Sequence, residues 1–146
     1  MTEHTVRDLM SDRVVAVRPD DDLKTLHDLM LDHNVRHIPV VDRDSDLVGL
    51  VSHRDLLRTS LVEQPDLTDY MEEALLESST VSAVMTEEVA TVEPDTRLQE
   101  AAEVMFENKY GCLPVVEGRR LVGILTESDF VRLVAKAARV PQAEVG

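Results

Sequence analysis

Two short segments carry the residue types from which chemistry could be built: Gly49-Leu50-Val51-Ser52-His53-Arg54-Asp55 and Gly123-Ile124-Leu125-Thr126-Glu127-Ser128-Asp129. Each reads glycine, two apolar residues, a hydroxyl, two variable residues and an aspartate. If the hydroxyl opens a helix, the aspartate sits in the first turn, fixed and facing water. A carboxylate there can accept from both hydroxyls of a ribose, as an acidic residue does in dinucleotide-binding folds. Ser52 and Thr126, with free backbone N–H groups behind them, would meet phosphate, with Ser128 assisting. Gly49 and Gly123 permit close backbone approach. The same residues have a plainer use, because a hydroxyl followed three positions later by an acid also makes a helix cap that needs no ligand.

Other reactive types are less organised. A proton-sharing pair of aspartates needs carboxylates in contact, whereas Asp55 and Asp129 each start a separate helix. Cys112 would need a nearby base to act as a nucleophile. All five histidines precede residue 54, and Cys112 lies in an apolar run beside Pro114, so a buried structural thiol is the default. His27 and His33, with Asp28 and Asp32, are rich in metal donors. Six residues apart on a helix, however, the two imidazoles point to different faces. His33, His37 and His53 would converge only through the tertiary fold. Neither catalysis nor a metal site is expected.

The two segments are positioned by a duplication. At a shift of 75, Thr5, Val6 and Met10 fall on Thr80, Val81 and Met85, and Pro39-Val40-Val41 falls on Pro114-Val115-Val116. One residue is then lost in a turn. At a shift of 74, Leu47-Val48-Gly49, Asp55 and Arg58 fall on Leu121-Val122-Gly123, Asp129 and Arg132. Residues 5–58 and 80–132 are therefore one strand–helix–strand–strand–helix pattern written twice. Val14–Val17 and Val89–Val92 are short β-branched runs that read as buried strands. Pro19 with Asp20, and Pro94 with Asp95, end them and open helices. Leu23, Leu26 and Met30 share one helical face, as do Leu98, Ala101, Ala102 and Met105. Ile38–Val41 and Leu47–Val51, joined by the polar turn 42–46, read as a hairpin, and copy two repeats it. Closing helices are expected over 53–62 and 127–139. The resulting division is repeat one over 5–62, a helical linker over 63–79, repeat two over 80–139 and a tail over 140–146. In the linker, Leu67, Tyr70, Met71, Ala74 and Leu75 form an apolar face that would cover the sheet or a subunit interface, or dock another protein.

Bulk composition narrows the classes. A unit of about 53 residues would bury too little surface alone, while two could share a core in a chain of 146 residues. With 43% hydrophobic residues, 3% aromatic and no Trp, that core is aliphatic. The net charge of −14 argues against nucleic acid and against an anionic membrane surface. One cysteine, no basic-then-apolar start and no apolar run near 18 residues point to a cytoplasmic protein.

Taken with Arg36-His37-Ile38-Pro39-Val40-Val41 and Gly111-Cys112-Leu113-Pro114-Val115-Val116, the doubled segments resemble the cystathionine-β-synthase (CBS) domain family. Two such repeats in tandem resemble a CBS pair, or Bateman module, over nearly the whole chain. The resemblance implies an α/β fold of two β-α-β-β-α repeats related by a pseudo-twofold axis, with two clefts between them. Members often bind adenine nucleotides or related adenosyl compounds there, control an attached enzyme, channel or transporter, and stack as homodimers. The expected ligand is AMP, ADP or ATP, with S-adenosylmethionine and NADH as alternatives, and no cofactor is required. The expected partners are a second copy and a separate protein target. A ligand-free dimerisation or scaffold module is the alternative.

The resemblance also implies which residues meet the ligand. Each cleft draws on both repeats, so Asp55 would pair with Met85–Ala90 and Asp129 with Met10–Val15. Val15, Ala90, Val35 and Tyr110 could flank a flat adenine, with Cys112 beside them. Arg36 holds the place ahead of the second strand that often meets phosphate, and Arg54 is close in the motif. Copy two has Gly111 against Arg36 and Ser128 against Arg54, so the sites are not equivalent. The Asp55 cleft would suit a charged nucleotide. The Asp129 cleft would be weak, selective for a less charged ligand or empty, unless Arg13 or His37 reaches it.

Overall fold

The computed structural model describes residues 4–59 and 69–137. Linker positions 63–68, the end of the first closing helix at 60–62 and positions 138–146 lie outside these. The elements in order are α1 (Val6–Leu9), α2 (Leu23–His33), β1 (His37–Val41), β2 (Leu47–Ser52), α3 (His53–Leu57), α4 (Asp69–Ser78), a 3₁₀ turn (Val81–Ala83), α5 (Leu98–Asn108), β3 (Cys112–Glu117), β4 (Arg120–Thr126) and α6 (Glu127–Ala137). β1 and β2 form one antiparallel hairpin, and β3 and β4 form a second two-stranded sheet.

The expected first strands are each reduced to a single parallel bridge, Val17 with Val40 and Val92 with Val115. The Val17 N–H donates to the Pro39 carbonyl at 3.0 Å, and the Val41 N–H donates back to the Val17 carbonyl at 2.8 Å. The next rung would need an N–H on residue 39 to reach the Val15 carbonyl, and proline has none. Copy two stops for the same reason. Val92 donates to the Pro114 carbonyl at 3.1 Å and accepts from Val116 at 2.9 Å, while Pro114 cannot reach Ala90. Helix starts also fall later than expected, with Asp22 and Arg97 as N-caps. The Asp22 carboxylate accepts from the Thr25 N–H at 2.7 Å. α2 and α5 both end on a left-handed residue, Asn34 at φ 52° and Lys109 at φ 58°. This lets Val35 and Tyr110 donate back to the Met30 and Met105 carbonyls at 3.1 and 3.0 Å.

The chain does not divide where the repeats do. Two compact units form, one from 4–12, 91–117 and 122–137, the other from 13–59, 69–90 and 118–121. Each repeat has thus exchanged its lead segment with the other. In the first unit, Val6 donates to the Thr96 carbonyl and Leu98 to the His4 carbonyl, both at 2.9 Å. In the second, Val81 donates to the Asp21 carbonyl at 2.8 Å and Ser82 to the Pro19 carbonyl at 2.9 Å. Val6 and Val81 are both fully buried. The second unit is built around Val17, Leu23, Leu26, Met30, Ile38, Val40, Val51, Leu56, Leu76 and Val81. Its counterpart buries Val92, Leu98, Ala101, Met105, Cys112, Leu113, Val115 and Leu125. Both cores are aliphatic, as the composition requires.

α4 uses a different face from the one expected. Leu76 is buried and Leu75 half-buried, while Tyr70, Met71 and Ala74 are exposed. The helix lies on α2, where Lys24 bonds Asp28 at 3.1 Å. That bond, with Asp28, Glu73 and Glu77 as neighbouring charges, holds the Lys24 ammonium above its ordinary range. A single line of contact through Leu76 thus buries one edge of α4 and leaves the broader apolar face open.

Two close approaches join each hairpin to the exchanged lead segment. Leu50 and Thr86 bond each other's backbone at 3.0 and 2.9 Å, and Ser11 and Ile124 do so at 2.9 Å in both directions. A Cβ on Gly49 would lie 2.8 Å from Met85 Sδ and 3.0 Å from the Thr86 carbonyl, and one on Gly123 2.6 Å from Met10 Sδ and 3.0 Å from the Ser11 carbonyl. Gly49→Ala should therefore cost about 1–3 kcal/mol by overpacking, read by urea denaturation. A cost below roughly 0.5 kcal/mol, the level of an ordinary surface change, would contradict this approach. Burial pushes the Cys112 thiol up to about 12. At pH 8 the folded protein should resist iodoacetamide, because the thiolate is the nucleophile, and labelling at the rate of a free thiol would contradict that burial.

Candidate functional site

β2 ends at Ser52, whose extended backbone makes it the N-cap of α3. Ser52 Oγ accepts from the Asp55 N–H at 3.1 Å, and Asp55 Oδ2 accepts from the Ser52 N–H at 2.8 Å. The capping box is therefore real, and it holds the carboxylate in one orientation. It uses one oxygen, and Asp55 Oδ1 has no hydrogen-bond partner among the described residues. Asp55 is half-buried, and Gly49 and Leu50 on the preceding strand bring the Thr86 backbone alongside in the same unit. Met85 and Thr86 therefore lie against the strand that leads to Ser52, in the same unit as Asp55. α3 itself has only five helical residues, too few for its N-terminus to act as a phosphate site of the kind expected around Ser52.

Copy two differs in detail. Asp129 Oδ2 accepts from the Thr126 N–H at 2.8 Å and from Thr126 Oγ1 at 3.1 Å. Asp129 Oδ1 accepts from Arg132 Nη2. The residue is 6% exposed, so the expectation of a water-facing carboxylate is wrong for Asp129. A buried carboxylate needs paired donors, and here the cap and the guanidinium supply them. Met10 and Ser11 lie against Gly123 in this unit, placing the lead segment beside the β4 strand that carries Thr126.

The described part of the second unit also contains a hollow of about 130 Å³ lined by His27, Met30, Leu31, Asn34, Val35, Arg36 and His53. Val35 and Arg36 were expected contacts, while His27 and His53 were not singled out as such. The Arg36 carbonyl accepts from the His53 N–H at 2.7 Å, which fastens the start of α3 to the strand leading into β1. His27 Nδ1 lies 3.8 Å from Asp28 Oδ1. Among the described residues that line this hollow none is a carboxylate. Arg36 brings a permanent cation to it, which suits an anion. Spacing along α2 could have flagged His27, since it lies one turn from Met30 and Leu31.

The remaining expected residues fall in both units. Arg54, Ser128 and Arg13 are exposed, and His37 opens β1, half-buried. Val15 and Ala90 are half-buried in the second unit, and Tyr110 is exposed in the first. Cys112 is buried in β3, so its thiol is a packing group there. Among the described residues no group of three or more His, Cys, Asp or Glu could hold a metal ion. No helix among them is long and apolar enough to cross a membrane.

Comparison with known proteins gives this arrangement a family. The CBS domain matches twice, at residues 6–61 and 81–136. A CBS domain-containing protein of Dictyostelium discoideum is 31% identical over 134 residues, which are 90% of this chain and 91% of that protein. The crystal structure of CBSX2 in complex with AMP is 30% identical, with a TM-score of 0.76 over 93% of this chain and 99% of that one. The CBS domain pair of protein MJ0100, in complex with 5'-methylthioadenosine and S-adenosyl-L-methionine, is 25% identical, with a TM-score of 0.71 over 89% of this chain and 98% of that one. Against three longer curated relatives, the chain spans only 42%, 24% and 23% of their lengths. Two family matches in tandem, each covering one of the α/β repeats described above, show that this chain belongs to the CBS domain family as a CBS pair.

Proposed function

We propose that this CBS pair is a regulatory module that binds an adenosine-containing ligand, with AMP, ADP or ATP ahead of S-adenosylmethionine and NADH, and passes its occupancy to a separate protein without catalysing a reaction. The observation that carries this reading is the Asp55 carboxylate. One oxygen is held by the Ser52 N–H at 2.8 Å, the other is open to a ribose hydroxyl, and the helix that bears it begins at His53 on the rim of the hollow that Arg36 lines. A ribose bound at Asp55 with its phosphate near Arg36 and His53 uses both features. The AMP in CBSX2 and the adenosyl compounds in the MJ0100 pair support the ligand class. The two CBS domain matches support a regulatory module, and the buried Cys112 thiol is a poor nucleophile. Signalling would be a population shift, with ligand favouring one of two arrangements by its differential affinity. The cytoplasm, with its adenine nucleotides, suits such a sensor.

The reading includes a homodimer. Leu31 and Phe106 are equivalent under the first shift of the duplication, and Leu57 and Val131 under the second. All four are apolar and all are exposed, Leu31 at 65%, Leu57 at 38%, Phe106 at 84% and Val131 at 68%. Apolar side chains left open at the same two places of both repeats fit a second copy, since a self-complementary face needs matched surfaces. Sedimentation should give a dimer at micromolar concentration, and Leu31→Glu combined with Phe106→Glu should give a monomer. An unchanged mass would remove this face from the reading.

AMP, ATP, NADH and S-adenosylmethionine at millimolar levels should be compared by thermal shift. A ligand at a hundred times its Kd stabilises the folded state by about 2.7 kcal/mol, and no shift with any of them would sink the adenosine reading. Asp55→Asn keeps an acceptor for the Ser52 N–H but removes the charge. It should weaken AMP binding by roughly tenfold or more, about 1.4 kcal/mol, while Asp129→Asn should change it less. Calorimetry showing equal losses or the reverse order would contradict the asymmetry.

A further inference from the structure

Both repeats place an arginine three residues after the first-turn aspartate, Arg58 after Asp55 and Arg132 after Asp129, yet only one reaches back. α6 runs on to Ala137, so Arg132 is a helical residue one turn beyond Asp129 and its Nη2 donates to Oδ1. α3 stops at Leu57. Arg58 is then the C-cap, its N–H donating to the Arg54 carbonyl at 3.0 Å, and no ion pair between Arg58 and Asp55 forms among the described residues. With Thr126 on Oδ2 and Arg132 on Oδ1, both oxygens of Asp129 are engaged, and the side chain is 8% exposed against 56% for its arginine. The arginine is thus the exposed member of the pair, and it occupies the carboxylate oxygen that the cap leaves over.

We propose that Arg132 is a latch on Asp129, closing the copy-two carboxylate to a ribose diol, so that the chain accepts an adenosine ligand at Asp55 and refuses one at Asp129 until the guanidinium leaves. This rests on the adenosine reading above. Arg132 is a specificity determinant of a kind the sequence motif does not show, because the motif ends at the aspartate.

Calorimetry with AMP tests it, using the full chain, Arg132→Ala and, as the control at the matched position, Arg58→Ala. The expected result is one AMP per chain for the unaltered protein and for R58A, and two for R132A. One site in R132A, two sites in the unaltered protein, or weaker binding in R132A would each overturn the latch while leaving the adenosine reading intact. No binding to any of the three would overturn the adenosine reading and the latch with it. Thermal denaturation provides a readout independent of ligand. R132A should lower Tm at least twice as much in the unaltered chain as in the Asp129→Asn background, since the arginine acts through that carboxylate, and equal shifts in the two backgrounds would overturn the contact itself.

Discussion

Each hairpin is tied to the lead segment of the other repeat by a pair of backbone hydrogen bonds, Leu50 with Thr86 and Ile124 with Ser11, and the approach is possible only because the neighbouring residue is glycine. The lead segments bring Val6 and Val81 into the two cores, so the exchange is also where much of the burial is gained. A repeat of this size has too little interior to stand alone. Completing each unit with a segment from the other copy makes both dependent on one continuous chain, and it carries the 81–90 stretch to the strand that ends at Ser52.

The capping box and the proposed ligand site are not competing explanations of the same residues. A helix cap holds a carboxylate still, and a carboxylate held still is a better acceptor for a diol, because less freedom is lost on binding. In copy one the cap engages one oxygen of Asp55 and leaves the other. In copy two the same motif is buried and its second oxygen taken. The matched arginines separate the two outcomes, since Arg132 bonds Asp129 while Arg58 forms no ion pair with Asp55 among the described residues.

Much of the fold was legible because a duplication is a statement about the whole chain. Matching Pro39 to Pro114 and Gly49 to Gly123 aligns the hairpins, and the apolar periodicity locates α2 and α5 with their buried Leu23, Leu26, Met30 and Leu98, Ala101, Met105. The first strands were misjudged because β-branched runs signal a strand, while ladder length is set by donors on the partner, and Pro39 and Pro114 lack one. The α4 face was misjudged because helical periodicity ranks all apolar positions alike, whereas packing against α2 selected Leu76. His27 went unnoticed as a site residue because its meeting with Arg36 and His53 spans three elements.

The sequence by itself determined the two α/β repeats, the aliphatic core, the first-turn aspartates and their caps, since these rest on local spacing and on the types of residue a short stretch contains. Only the tertiary structure decided that the lead segments are exchanged, that Asp129 is buried while Asp55 keeps an open oxygen, and that His27, Arg36 and His53 line one hollow in a protein of net charge −14. Burial and electrostatic partners depend on residues distant in the chain, so a motif read along the chain gives the chemistry of a side chain but not what is already bonded to it.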